Sequence, residues 1–267
     1  MIDLDSVTAV LEETALTEVM PRFLDLQDED IRAKGSGELV TVADVAAEQA
    51  ISRRLLDLIP GSLVVGEEAV DADPTLFDQF ASDRPVWIID PIDGTGNFAA
   101  GRPVFALMVA LVREAETLAG WIHDPINRRT AVAELGAGAW MAGRRLAVAP
   151  AAPPAEMRGT LHASSYGPAE LTQQVKTRRE RVDAIKTLKC AGWEYLRLAL
   201  GETQFSLFTR LMPWDHVPGV LIHQEAGGHG RCLDGTPYTA LRHREFGVMM
   251  APDEAAWRAL HDTLFGD

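Results

Sequence analysis

The chain has 267 residues with 25 Lys+Arg against 39 Asp+Glu, a formal charge of −14, and is 47% hydrophobic and 24% charged. That balance fits a globular chain long enough to bury a sizeable core, and it excludes intrinsic disorder. It also excludes a nucleic-acid polymer as the main partner: phosphate-backbone binding needs a basic face, and the densest basic stretch, Lys176–Arg181, is interrupted by Glu180.

Apolar positions Val7, Val10, Leu11 and Val19 predict a helix from Leu4 to Leu26. Met1–Val7 is acidic and lacks the charged-then-apolar order of a secretory signal, so a cytoplasmic protein is expected. The polar stretch Asp28–Glu38, with Lys34-Gly35-Ser36-Gly37, reads as a loop. Val45, Ile51, Leu55 and Leu58 predict a second helix over Asp44–Leu58, closed by Pro60-Gly61. Leu63–Val65 reads as a strand entering Gly66-Glu67-Glu68, and Val86–Ile89 as a strand entering Asp90. Val104–Arg113 and Thr117–His123 read as neighbouring strands, followed by Thr130–Glu134 and Ala139–Met141. The longest apolar run, Val104–Val112, is too short to cross a membrane.

Ala147–Ala155, rich in Ala and Pro, reads as a connector between two packed halves of one domain, about 1–146 and 156–267. The second half predicts strands at Gly159–Ala163, Ile185–Leu188, Thr203–Phe208 and Phe246–Met250. Its helices fall at Ala169–Val182, Trp193–Leu200, Trp214–Ala226 and Pro252–Phe265, with Gly227-Gly228 as a helix stop. Helices and strands are grouped, not strictly alternating, so a layered α+β architecture is expected, not one Rossmann sheet. Cys190 and Cys232 lie far apart and read as two reduced thiols.

The chemistry concentrates in Trp87-Ile88-Ile89-Asp90-Pro91-Ile92-Asp93-Gly94-Thr95. An apolar strand delivers two carboxylates to its C-terminal end, and Pro91 breaks the ladder there. Gly94 permits a tight turn whose N–H groups can face an anion. Carboxylate oxygens suit Mg2+, which brings phosphate oxygens into the same shell, so an acidic chain can still hold a phosphate ester. Glu67 and Glu68 end an earlier strand, and Asp215 opens a helix; taken singly they read more often as a solvated turn and a helix-start acid than as metal ligands.

Together, Gly66-Glu67-Glu68, Trp87 to Phe98, and Trp214-Asp215 followed by Glu225–Gly228 resemble the inositol monophosphatase family, the lithium-sensitive, metal-dependent sugar phosphatases. The resemblance spans nearly the whole chain. It implies a layered αβαβα fold, a homodimer and two to three Mg2+ per site. It places one metal on Glu67, Asp90 and the carbonyl of Ile92, a second on Asp90, Asp93 and Asp215, and a weaker third on Glu67. Gly94 and Thr95 would hold the phosphate. Thr95 would contact the attacking water, with Asp44 behind it; Thr41 and Asp44 also fit a helix capping box. Lys34 matches a basic loop position that closes over the site, or is a surface lysine. Glu68 either orients water or is simply exposed.

The resemblance weakens at the substrate wall. Phe208 stands where an acid is expected, and Gly192-Trp193-Glu194 aligns loosely with a small turn. His216-Val217-Pro218 replaces small residues after Asp215. His216 reads as a substrate contact or as a surface or interface residue; Trp193 and Arg210 could rest a nucleotide base. Trp121, Trp140 and Trp193 read most simply as core or interface packing, and His123 as a strand-end residue. The substrate therefore stays open among inositol, sugar, polyol and amino-alcohol phosphates, with a 3′(2′),5′-bisphosphate nucleotidase or a histidinol-phosphatase as alternatives. A regulatory protein of the transcription machinery is the alternative of another class. A covalent phospho-aspartate mechanism of the haloacid-dehalogenase type needs two aspartates two apart on one strand face, and Asp90 and Asp93 are three apart.

Overall fold

The computed structural model describes residues 3–163 and 167–266. Helix α1 (Leu4–Thr14) continues through one π-turn, Ala15–Val19, and stops before Pro21. A short hairpin of β1 (Ile31–Ala33) and β2 (Leu39–Thr41) leads into α2 (Val42–Leu58). Strand β3 (Leu63–Gly66) feeds α3 (Glu67–Ala72), and β4 (Val86–Asp93) feeds α4 (Thr95–Ala99). Next come β5 (Ala106–Arg113), β6 (Glu116–Asp124), β7 (Arg129–Glu134), β8 (Gly138–Met141) and β9 (Arg144–Arg145). The second half runs β10 (Arg158–His162), α5 (Ala169–Arg178), β11 (Asp183–Ile185), α6 (Ala191–Ala199) and β12 (Phe205–Phe208). It closes with α7 (Pro213–Glu225), β13 (His229–Cys232), β14 (Val248–Ala251) and α8 (Glu254–Phe265).

Strand periodicity sets the layers. A seven-stranded sheet has the order β3-β4-β5-β6-β7-β8-β9, antiparallel apart from the β3–β4 pair. Along β5, Leu107, Val109 and Leu111 join α1 and α2 in one core, while Met108, Ala110 and Val112 join α6 and α7 in another. The same α6–α7 layer covers one face of the five-stranded sheet β11-β10-β12-β14-β13, whose other face packs on α5 and α8. The result is the expected αβαβα layering. Fully buried side chains such as Trp87, Ile89 and Trp121 each stabilise it by about 1.5–3 kcal/mol.

Several boundaries depart from the sequence reading. The first helix ends early because Pro21 has no N–H to donate. The expected loop 28–38 contains β1, and the strand expected at Ile185–Leu188 is shifted to Asp183–Ile185 because the Leu188 peptide is engaged elsewhere. Helix α5 stops at Arg178, short of Val182. Strand β13 and the short helices α3 and α4 carry too few residues to show a period.

Candidate active site

The strand ends of β3 and β4 and the start of α7 converge on one acidic cavity, lined by Glu38, Glu67, Asp90, Ile92, Asp93 and Asp215 among others. Carboxylate oxygens of Asp90, Asp93 and Asp215 lie within 4.8 Å of one another. A three-residue step in a regular strand would put Asp90 and Asp93 on opposite faces. The β4–β5 register shifts between these two residues, so a bulge at Pro91-Ile92 brings both acids to the cavity. Pro91 cannot donate to the ladder, which is why the bulge sits there.

Burial pushes the carboxyl of Asp90 well above the usual range, and the charges of Glu67, Asp93 and Asp215 push it further. Asp215 rises to about 7, chiefly through burial and then through Asp93. Asp93 is raised by burial, although it accepts from the Cys190 thiol at 2.9 Å and the Ala191 N–H at 3.1 Å. The Asp90 Oδ1 oxygen is buried without a hydrogen-bond partner among the described residues. Converging, mutually repelling carboxylates with an unpartnered oxygen fit hard divalent cations, which supply the missing positive charge.

Glu67 lines the same cavity, but its Oε1 accepts from Lys34 Nζ at 2.7 Å, and Glu68 Oε1 accepts from the same nitrogen at 2.7 Å. Burial works against the Lys34 ammonium, yet Glu67 and Glu68 outweigh it and raise its pKa. Lys34 is thus a buried counter-charge, not a surface lysine, and Glu68 is a paired residue, not a freely exposed one. Burial also raises Glu68, to about 7.

Behind this pair stands Glu48, which the sequence reading overlooked. It accepts from the Glu68 N–H at 2.8 Å and the Ala69 N–H at 2.9 Å, so it caps the first turn of α3. Its carboxylate packs against Gly66, where any Cβ would lie 2.3 Å from the Glu48 carboxyl carbon. The available signal was Asp44 and Glu48 four apart on one face of α2.

Asp44 makes both of the contacts expected of it. Its Oδ2 accepts from the Thr41 N–H at 2.8 Å, completing the capping box of α2, while its Oδ1 accepts from Thr95 Oγ1 at 3.0 Å. Thr95 Oγ1 also lies 2.9 Å from the Ile92 carbonyl. Gly94 is left-handed at φ 89°, turning its own N–H and that of Thr95 at the start of α4.

The substrate wall is partly corrected. Phe208, Arg210 and His216 line a second cavity beside Asp93 and Asp215. His216, however, is neither a surface nor an interface residue. Its Nε2 donates to the Arg210 carbonyl at 2.8 Å, which leaves Nδ1 to accept from Tyr195 O–H at 3.1 Å. Burial lowers its pKa to about 3, so the ring is neutral. Glu194 is fully buried behind the wall, not on it. Trp193 turns away, its indole donating to the Phe105 carbonyl at 3.1 Å with Arg129 over the ring. Arg210 forms a bidentate ion pair with Glu38, so it is not a ready rest for a base. His123 is a buried strand residue bonded to Thr130, Trp121 is core and Trp140 is half-exposed. Both cysteines are buried free thiols. Asn97 also went unread: its Nδ2 donates to the carbonyls of Val104 and Leu188 and ties the two halves together beside the site.

Comparison with known proteins agrees with this geometry. A model of the inositol monophosphatase family matches residues 3–264. An inositol-1-monophosphatase of Mesorhizobium japonicum is 31% identical over 80% of this chain and 79% of its own. A fructose-1,6-bisphosphatase/inositol-1-monophosphatase of Thermotoga maritima is 30% identical over 73% of this chain and 71% of its own. Among solved structures, the IMPase of Thermotoga maritima superposes with a TM-score of 0.80 at 25% identity, covering 98% of each chain. The extragenic suppressor protein SuhB of Bartonella henselae superposes at 0.83 and 24% identity, over 98% of each chain, and speaks for the fold alone.

Proposed function

The chain belongs to the inositol monophosphatase family and is a phosphoric monoester hydrolase, and from that premise we propose that it uses two to three Mg2+ to cleave a small phosphorylated sugar, polyol or amino alcohol. The observation that carries this reading is the convergence of Asp90, Asp93 and Asp215 with an unpartnered buried oxygen. Glu67, Asp90 and the Ile92 carbonyl would hold one ion, Asp90, Asp93 and Asp215 a second, and Glu67 part of a third. When bound, such ions lower the pKa of an attacking water and offset charge on the phosphate and the leaving oxygen.

The chain's own groups do the positioning. Thr95 donates its hydroxyl proton to Asp44, which aims the oxygen lone pairs at the site of attack. Asp44 is fixed for this by Thr41, whose N–H and hydroxyl both donate to its other oxygen. The N–H groups of Gly94 and Thr95, set by the left-handed Gly94, would face the phosphate oxygens, a cradle that costs no reorganisation as charge develops. The Lys34 ammonium offsets one of the two charges of Glu67 and Glu68, and a divalent cation held by Glu67 would take over part of that role. The two buried aspartates of β4 are anchored in a central strand buried along its length, which holds the acid geometry.

The test is phosphate release from a panel of small phosphate esters with Mg2+ and with EDTA. Activity is expected only with the divalent cation, and Li+ is expected to inhibit it. Asp90→Asn should lower kcat by about a thousandfold or more while its thermal midpoint holds or rises, because a neutral amide relieves the repulsion among the acids. Near-normal activity in that variant would refute the assignment, as would activity unaffected by EDTA.

A further inference from the structure

Beside the acid cluster lies a second cavity of about 200 Å3, and apart from Asp93 and Asp215 its lining has no part assigned in the hydrolytic step. Asp93 and Asp215 bound it where it meets the cluster, and His162, Lys189, Phe208 and Arg210 supply much of the rest. Arg210 is committed to Glu38. His162 stacks on Phe208 with 4.6 Å between ring centroids, and its Nε2 faces Glu194 Oε1 at 3.5 Å. Lys189 is exposed, and its ammonium joins no ion pair among the described residues.

The backbone at Lys189 is the unusual feature. Its φ is 57°, a left-handed conformation that glycine adopts most cheaply. Its neighbours impose it. The Leu188 N–H donates to Glu194 at 2.7 Å, and the Leu188 carbonyl accepts from Asn97 Nδ2 at 2.9 Å. On the other side, Cys190, Ala191 and Gly192 all donate to Asp93. A strained position lining a cavity carries a long cationic side chain where a glycine would satisfy the backbone better. Glu194, fully buried, braces both flanks of this wall at once, through the Leu188 peptide and through His162.

We propose that this cavity seats the leaving group, and that Lys189 and His162 select a leaving group bearing a second anionic substituent, a carboxylate or a phosphate. The inference rests on the phosphomonoesterase reading. An uncharged polyol offers Lys189 only neutral hydroxyl acceptors, whereas an anion turns its exposed ammonium into a charge-assisted contact. Glu194 is a positioning residue: it holds the wall and does not touch the substrate.

The test compares matched esters with Mg2+: propane-1,3-diol monophosphate against the bisphosphate, and glycerol 1-phosphate against 3-phosphoglycerate. The wild type should show a higher kcat/KM for the member with the extra anion. Lys189→Gly, which suits the local φ and so should fold, should reduce that preference about tenfold, mainly through KM. His162→Gln should reduce it independently. Preference in one pair only identifies the group as phosphate or as carboxylate. Equal kcat/KM within both pairs, or an equal loss by Lys189→Gly for both members, overturns the anion-selective wall and leaves the phosphatase reading standing. Failure to hydrolyse any of the four esters overturns that reading, and this one with it.

Discussion

Single carboxylates in this protein take opposite roles according to what lies against them. Asp90 is surrounded by acids and is relieved only by added positive charge, whereas Glu48 is satisfied by two backbone N–H groups and needs none. Removing the Glu48 carboxylate leaves the Glu68 and Ala69 N–H groups without their acceptor and opens space beside Gly66. Glu48→Ala should therefore destabilise the protein by about 1–3 kcal/mol, and should raise the Mg2+ concentration for half-maximal activity about tenfold or more. Glu48→Gln keeps one acceptor oxygen and should recover much of the metal response. Denaturant titration and Mg2+ titration of activity check the pair; an unchanged Mg2+ response in Glu48→Ala would show that α3 needs no brace.

Among the elements, the β1–β2 hairpin is mostly exposed or half-buried, yet it reaches both halves of the site. It carries Lys34 into the acid cavity and Glu38 across to Arg210, which follows β12 in the other half of the chain. Both partners of the Glu38–Arg210 pair keep partial exposure, so the pair contributes little to global stability but ties a short hairpin to a fixed wall. Arg210→Ala should speed amide hydrogen exchange across residues 34–40 while the thermal midpoint moves by no more than about 2 °C. Exchange mass spectrometry resolves this; unchanged protection of the hairpin would mean that Lys34 and its two glutamates hold it unaided.

At the scale of the whole molecule, buried titratable groups work in opposition. Asp215 is raised from 3.8 to about 7, so the stability tied to its protonated form is present at low pH and lost as pH rises through that window. His123, at about 4, and His216 and His223, at about 3, are depressed by burial from 6.5, so their contribution is present above 6.5 and lost as pH falls. Divalent cations, if held by the ionised acids as proposed, should cancel only the first effect. The gain in thermal midpoint from Mg2+ is thus expected to be small near pH 5 and larger near pH 8, as measured by paired melts with Mg2+ and EDTA. An equal gain at both pH values would contradict it. No helix among the described residues is long and apolar enough to cross a membrane.

The acid motifs, their order, and the alternating strands that build the central sheet are all legible in the sequence. Each depends on residues a few positions apart, where backbone geometry is enough: Thr41 with Asp44, the strand into Asp90, and Gly94 before Thr95. Which groups meet depends on how the layers pack. Lys34 reaches Glu67 and Glu68 because a hairpin folds back, and Asp215 joins Asp90 because α7 packs against the central sheet. Glu194 and Trp193 sit in a segment that resembles a substrate turn, yet α6 turns one inward and aims the other at Phe105. His216 follows a site acid in sequence but points toward Tyr195, because adjacent helix positions differ by about 100°. Contacts between distant segments are set by packing of the layers, and local spacing carries no record of them.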